Sequence, residues 1–217
     1  MPISQGRGLD GKVADVKLGQ SGAQLASWQH GKYAEQALAG NMFYTSTVVA
    51  GLAIPINTTT APTVMLWNPS GSGVHAVLGR LHAAQASGTS AGGGVGLMAV
   101  STTVEVGSTI ATGNLITAFA QDVLGTNVFN AKLNGGNRPK VKSSSQGTNT
   151  ITAGTWIYSL GKYVGATIST SAAGGITLTH DFDGDVVLPP GTAVYLAANI
   201  ASVALFESTL SWYEIPA

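Results

Sequence analysis

Residues 201–215 read ASVALFESTLSWYEI. Ala204, Phe206, Ser208, Leu210 and Trp212 recur at every second position, with Glu207, Thr209, Ser211 and Tyr213 between them. A period of 2 places the two sets on opposite faces of a strand, because successive side chains alternate across the pleat. A strand this long, with large apolar groups on one face, belongs near the centre of a sheet packed on another layer. Just upstream, Leu188-Pro189-Pro190-Gly191-Thr192 is a rigid turn. Its prolines fix φ and remove donors, so pairing must stop there and restart at Ala193.

Working back from this end, short runs rich in β-branched residues recur between Gly, Pro and Ser punctuation. They cover 47–54, 63–67, 74–84, 95–106, 115–119, 150–164, 175–179, 186–188 and 193–198. In the 74–84 run, Val77, Leu81 and Ala83 are expected on one face, with Arg80 and His82 on the other. No long period of 3.6 appears. The expected fold is all-β, an antiparallel sandwich of the jelly-roll kind, over residues 46–217.

Residues 1–45 differ. Arg7, Asp10, Lys12, Asp15, Lys17, Lys32 and Glu35 fall there among recurring glycines. Val13, Val16, Leu18, Leu25, Trp28, Tyr33, Phe43 and Tyr44 make the stretch too apolar for a purely solvated tail, the alternative being a disordered terminus. It is expected to be an extended N-terminal arm, with a helical turn over 31–38 at most. Residues 122–147, which include Gly135-Gly136-Asn137-Arg138-Pro139-Lys140 and Ser143-Ser144-Ser145, are polar and glycine-rich. They are expected to form a long surface loop. Its basic trio, Arg138, Lys140 and Lys142, has no acid nearby in sequence, and reads either as a solvated loop or as a contact for an acidic neighbouring subunit.

Composition narrows the function. Charged residues make up 9% of the chain, ten basic and ten acidic, for a formal net charge of +0. Roughly 25% charged is ordinary. So sparse a charge argues against a direct nucleic-acid role, which needs clustered Lys and Arg, and favours association over life as a free monomer. With no cysteine, neither a disulfide nor a thiolate metal site is possible. The first residues lack the apolar core of a signal peptide, and apolar runs fall short of a membrane span. The expectation is therefore synthesis in the cytoplasm, with no membrane partner.

Motifs for chemistry are few. Gly88-Thr89-Ser90-Ala91-Gly92 has the spacing of a nucleophile elbow but lacks the helix that should follow. His75 and His82 are an odd number of residues apart, so a regular strand puts them on opposite faces, and only a bulge could bring them together. Gly92-Gly93-Gly94 lacks the Lys-Ser/Thr of a phosphate loop. Asp181, Asp183 and Asp185 alternate around Gly184 and could wrap a hard cation, but Thr192 stands where an EF-hand needs Glu. A hairpin turn on Asp183-Gly184 is the preferred reading. No catalytic, cofactor-binding or metal-binding residue is assigned, and the chain is read as a non-enzyme.

The stretches Trp67-Asn68-Pro69-Ser70-Gly71-Ser72-Gly73-Val74, Asp181 to Thr192 and Trp212-Tyr213-Glu214-Ile215-Pro216 resemble phage virion proteins. The Leu-Pro-Pro-Gly turn before an antiparallel last strand is similar to that of trimeric jelly-roll capsid decoration (cement) proteins. The resemblance implies a homotrimer seated on the major capsid protein or other virion subunits, stabilising the assembled shell. The alternative is a tail or fibre component whose aromatics, Trp28, Trp67, Trp156, Tyr158 and Trp212, stack on a carbohydrate or receptor.

Overall fold

The computed structural model describes residues 5–7, 13–15, 17–18, 24–25, 33–101, 104–106, 109–111, 116–133, 135–145, 149–151, 154–163, 167–168 and 176–217. The chain divides into two compact units, residues 1–35 and 36–217. In the first, Gln5–Arg7 pairs with Val13–Asp15 and Lys17–Leu18 with Gln24–Leu25, both antiparallel. The expected arm thus contains hairpins among its described residues.

The helix expected over 31–38 is the short helix Ala34–Ala39. It ends in a Schellman cap. Gly40, at φ 75, donates to Ala37 O, and Asn41 donates to Gln36 O. Gly is favoured at that left-handed position because it carries no Cβ.

The sandwich starts earlier than the expected boundary at residue 46. Strand Met42–Ser46 alternates buried and part-exposed side chains, and Phe43 is stacked on Trp212 in the core. The strand expected over 47–54 is broken, because Gly51 at φ 76 closes a turn by donating to Val48 O. Only Leu52–Ala53 pairs, with Leu205 and Phe206.

The principal strands in chain order are Met42–Ser46, Met65–Asn68, Val74–Thr89, Gly93–Ser101, Thr155–Tyr163, Thr177–Asp181, Thr192–Ala198 and Leu205–Pro216. One sheet places them first, eighth, third, sixth; the other second, seventh, fourth, fifth. All these pairings are antiparallel. This interleaving of two sheets is the jelly roll. The last strand does lie at the centre of its sheet, between Met42–Ser46 and Val74–Thr89. Val74–Thr89 is paired on its other edge by Val187–Leu188, Thr177–Asp181 and Thr167–Ile168 in succession.

A bulge corrects the expected facing of Val74–Thr89. Leu210 pairs with Leu81 and Trp212 with Leu78, so Gly79 and Arg80 both oppose Ser211. Arg80 N donates to Ser211 Oγ at 2.8 Å, and a Cβ on Gly79 would lie 2.7 Å from that oxygen. The extra residue shifts the inward register. Val74, Ala76 and Leu78 face the core before it, and Leu81 and Ala83 after it. Val77 is buried, but it does not share the face of Leu81 and Ala83.

The second sheet is covered on both faces. Leu66, Leu97, Val194 and Leu196 join the core between the sheets. Their neighbours Met65, Met98, Ala193 and Tyr195 join a second cluster with Ile151, which Ile116 and Phe119 pack against. Burial of both faces explains why 193–198 reads as an unbroken apolar run.

The stretch 122–147 is not simply a surface loop. Val128–Asn130 extends the first sheet beyond Met42–Ser46, and Lys142–Ser144 extends the second beyond Met65–Asn68. Among the described residues, no helix is long and apolar enough to cross a membrane.

Candidate functional site

The inserted segment carries the most elaborate polar construction in the sandwich, and two buried carboxylates hold it. Asp122, 6% exposed, accepts from Thr45 Oγ1 (2.5 Å), Asn127 Nδ2 (2.6 Å), Ser145 N (2.9 Å) and Ser145 Oγ (2.9 Å). These donors replace the water that burial removes, which is the condition for keeping a polar group inside. Glu214, 7% exposed, accepts from the backbone of Lys140 (2.9 Å) and Val141 (2.9 Å). The first carboxylate fastens the two ends of the segment to the strand Met42–Ser46. The second fastens its middle to the last strand.

The outer side of this segment is mixed in character. Val123 and Leu133 are exposed, and a cleft of about 400 Å³ runs between Val123, Leu124, Arg138 and Pro139. The basic trio divides. Arg138 and Lys140 are exposed, whereas Lys142 places its ammonium 5.0 Å from the centroid of the Trp67 ring, a cation–π distance. Of the trio, Lys140 gives its backbone N–H to the carboxylate of Glu214. Sequence reading missed both carboxylates. For Glu214 a signal existed: it continues the inward series of Phe206, Ser208, Leu210 and Trp212. Asp122 has no such signal, since its donors come from distant positions.

The aspartates around Gly184 do not converge. Asp185 N donates to Phe182 O, and the central residues Asp183 (φ 52) and Gly184 (φ 91) both have positive φ, the geometry of a type I′ turn. The turn does not close the expected hairpin: Thr177–Asp181 before it and Val187–Leu188 after it both pair antiparallel with Val74–Thr89, so the chain keeps its direction along that strand. Asp181 accepts from Arg80 Nη2 at 3.2 Å, and Asp185 from Tyr158 OH at 3.4 Å. Among the described residues, no three His, Asp or Glu side chains are placed to hold a metal ion. His180 and Tyr158 are hydrogen-bonded (3.1 Å) and pack edge-on with buried Phe182. Partial burial, and then the charge and hydrogen bond of Asp185, push the Tyr158 phenol above its ordinary value.

Ser90 is buried in a corner between the two sheets, with Gly92 N donating to its Oγ at 3.2 Å. A strand follows, so the elbow geometry is not formed. The same strand, beginning at Gly93, takes up the last two residues of the triglycine. The bulge does bring His75 and His82 to one face, as an extra residue must. Six strand steps of about 3.3 Å still separate them by about 20 Å, too far for one ion.

The aromatics are mostly committed to packing. Trp212 is fully buried, Trp156 packs on the second cluster over Gly96, and Trp67 packs against Phe119 with ring centroids 5.3 Å apart and planes inclined at 60°. Trp28 lies outside the described residues. Tyr195, deep in the second cluster, accepts from Gly154 N at 3.0 Å. Burial pushes its phenol up, and that hydrogen bond opposes the shift.

No family model matches the chain, and no curated protein or solved structure does either.

Proposed function

We propose that this chain is a structural subunit of a phage virion, a capsid decoration (cement) protein that binds the assembled shell as a trimer and stabilises it. The observation that carries the reading is the strand order, first-eighth-third-sixth over second-seventh-fourth-fifth. Viral capsid subunits are among the recurrent uses of this jelly roll. Fold alone does not set function, and three further features support the reading. The chain has a +0 formal charge with few charged side chains, suited to close subunit contact. Its inserted segment is pinned by buried carboxylates and so offers a preformed contact surface. The sequence of its Leu188-Pro189-Pro190-Gly191 turn and last strand, read by itself, resembles that of decoration proteins.

The stabilisation would follow from mass action: an element that binds only the assembled shell favours that shell. Particles lacking the protein should release DNA at lower temperature or lower salt than complete ones. Equal heat resistance with and without it would refute the cement role. A receptor- or sugar-binding tail role has less to stand on, because Trp212, Trp156 and Trp67 are engaged in packing.

A further inference from the structure

Among the described residues of the sandwich, one end carries no charged side chain. Four connections or strand ends meet there. Leu205 and Phe206 pair with Ala53 and Leu52 on one side and with Ser87 and Gln85 on the other. Thr167 pairs with Thr89, Ile56 bridges to Ala198, and Asn199 N donates to Gly94 O. A Cβ on Gly88 would lie 2.9 Å from Val203 O, so the two turns are in contact.

The described residues of these parts, 47–57, 86–94, 163, 167–168, 176–179 and 199–206, include no Asp, Glu, Lys, Arg or His. The same end exposes Val49 (85%), Val203 (77%), Ile200, Val48 and Ile56. Glu207 and Lys162, both exposed, stand at its rim. The charged groups Arg80, Arg138, Lys140, Asp183 and Asp185 lie elsewhere, along the strands, in the inserted segment and in the turn after Asp181.

An apolar, uncharged surface with a polar rim is the anatomy of a contact site. Its chemistry also selects the occupant. Any charged group brought onto it would lose water and find no counter-charge, a cost that dry contacts do not recover. The occupant must therefore present an uncharged face of its own. Another copy of this chain presents one, and a +0 formal charge on each copy adds no long-range repulsion. We infer that this neutral end is the self-association face, on which the ends of neighbouring copies converge. The inference deepens the assembly reading and rests on it for the existence of an associated state.

The test uses the full chain and its variants Val49→Asp, Val203→Asp and the double variant, with Leu133→Asp as the control at an equally exposed apolar site in the inserted segment. Light scattering and sedimentation at micromolar concentration report the association state. Circular dichroism and melting report folding, which substitutions at such exposed positions should leave intact. The expected result is an oligomer for the parent and for Leu133→Asp, with the dissociation constant raised roughly 100-fold or more in the double variant. A folded double variant that associates like the parent overturns the assignment of this face while leaving the assembly reading standing. A parent that stays monomeric overturns both. Flotation of the parent with phosphatidylcholine vesicles, lost in the double variant, would make the occupant a lipid surface and overturn the choice of a second copy.

Discussion

Replacing Glu214 by Ala should release the inserted segment from the sandwich. In the parent, Glu214 Oε1 accepts the backbone N–H groups of Lys140 and Val141 at 2.9 Å each, and Val141 is buried. Hydrogen bonds to a charged group contribute about 1.5–3 kcal/mol each, and a buried donor left alone keeps its desolvation cost. With one of the two donors near solvent, the loss comes to about 3 kcal/mol. For a chain of this size, 1 kcal/mol moves Tm by about 2–4 °C, so the variant should melt roughly 6–12 °C lower. Glu214→Gln keeps one acceptor oxygen and should lose about half as much.

The loss should also be local. The segment has trypsin sites after Lys132, Lys140 and Lys142, because Pro139 protects only the bond after Arg138; Lys142 lies in the paired strand Lys142–Ser144, which leaves Lys132 and Lys140 as the exposed ones. Limited trypsinolysis of the Ala variant should cut there well before the rest of the sandwich opens. A Glu214→Ala protein that melts within a degree of the parent, with no faster cleavage after Lys132 or Lys140, would refute the clamp.

Gly96→Ala should be among the most costly small changes in the second sheet. A Cβ there would enter the space of the Trp156 indole and the Tyr158 carbonyl, and overpacking of this kind costs about 1–3 kcal/mol by denaturant unfolding. Removing residues 1–35 should leave a folded sandwich, whereas removing 1–45 takes away Phe43 and its strand and should cost about 3–5 kcal/mol or abolish folding; equal melting of the two truncations would contradict the placement of Met42–Ser46. Tyr195 is held protonated in the fold above its ordinary 10.0. The stability this gives is intact below pH 10 and is lost as pH rises from there toward the folded-state value. Tyr195→Phe should therefore show a shallower alkaline loss in urea unfolding from pH 9 to 11, on top of a neutral-pH cost of about 1 kcal/mol for the unpaired Gly154 N–H; an unchanged slope would refute the assignment.

The sandwich and its central last strand were legible because period-2 alternation is a local signal. So was the tight turn at Asp183-Gly184, which needs only the φ tolerance of those two residue types, whereas its place inside an edge strand rather than in a hairpin depends on pairing with Val74–Thr89. Long-range devices left no such trace. The bulge at Gly79–Arg80 depends on Ser211, more than a hundred positions away, and without it the facing of Val77 was misread. The polar insertion was read as solvated because Asp122 finds its donors on Thr45, Asn127 and Ser145, which only folding assembles. Double burial of 193–198 was written in its apolar run, but the covering residues Ile116, Phe119 and Ile151 are scattered. The neutral end could be read as a site only once the register had gathered its separate turns.

The central claim is that this jelly roll is a repeated part of a phage shell. Image reconstruction of purified particles that contain the chain tests it most directly. The account predicts sandwich-shaped density in trimers on the outer capsid surface, at local threefold positions of the lattice. Density confined to the tail, or particles with no copy of the chain, would contradict it.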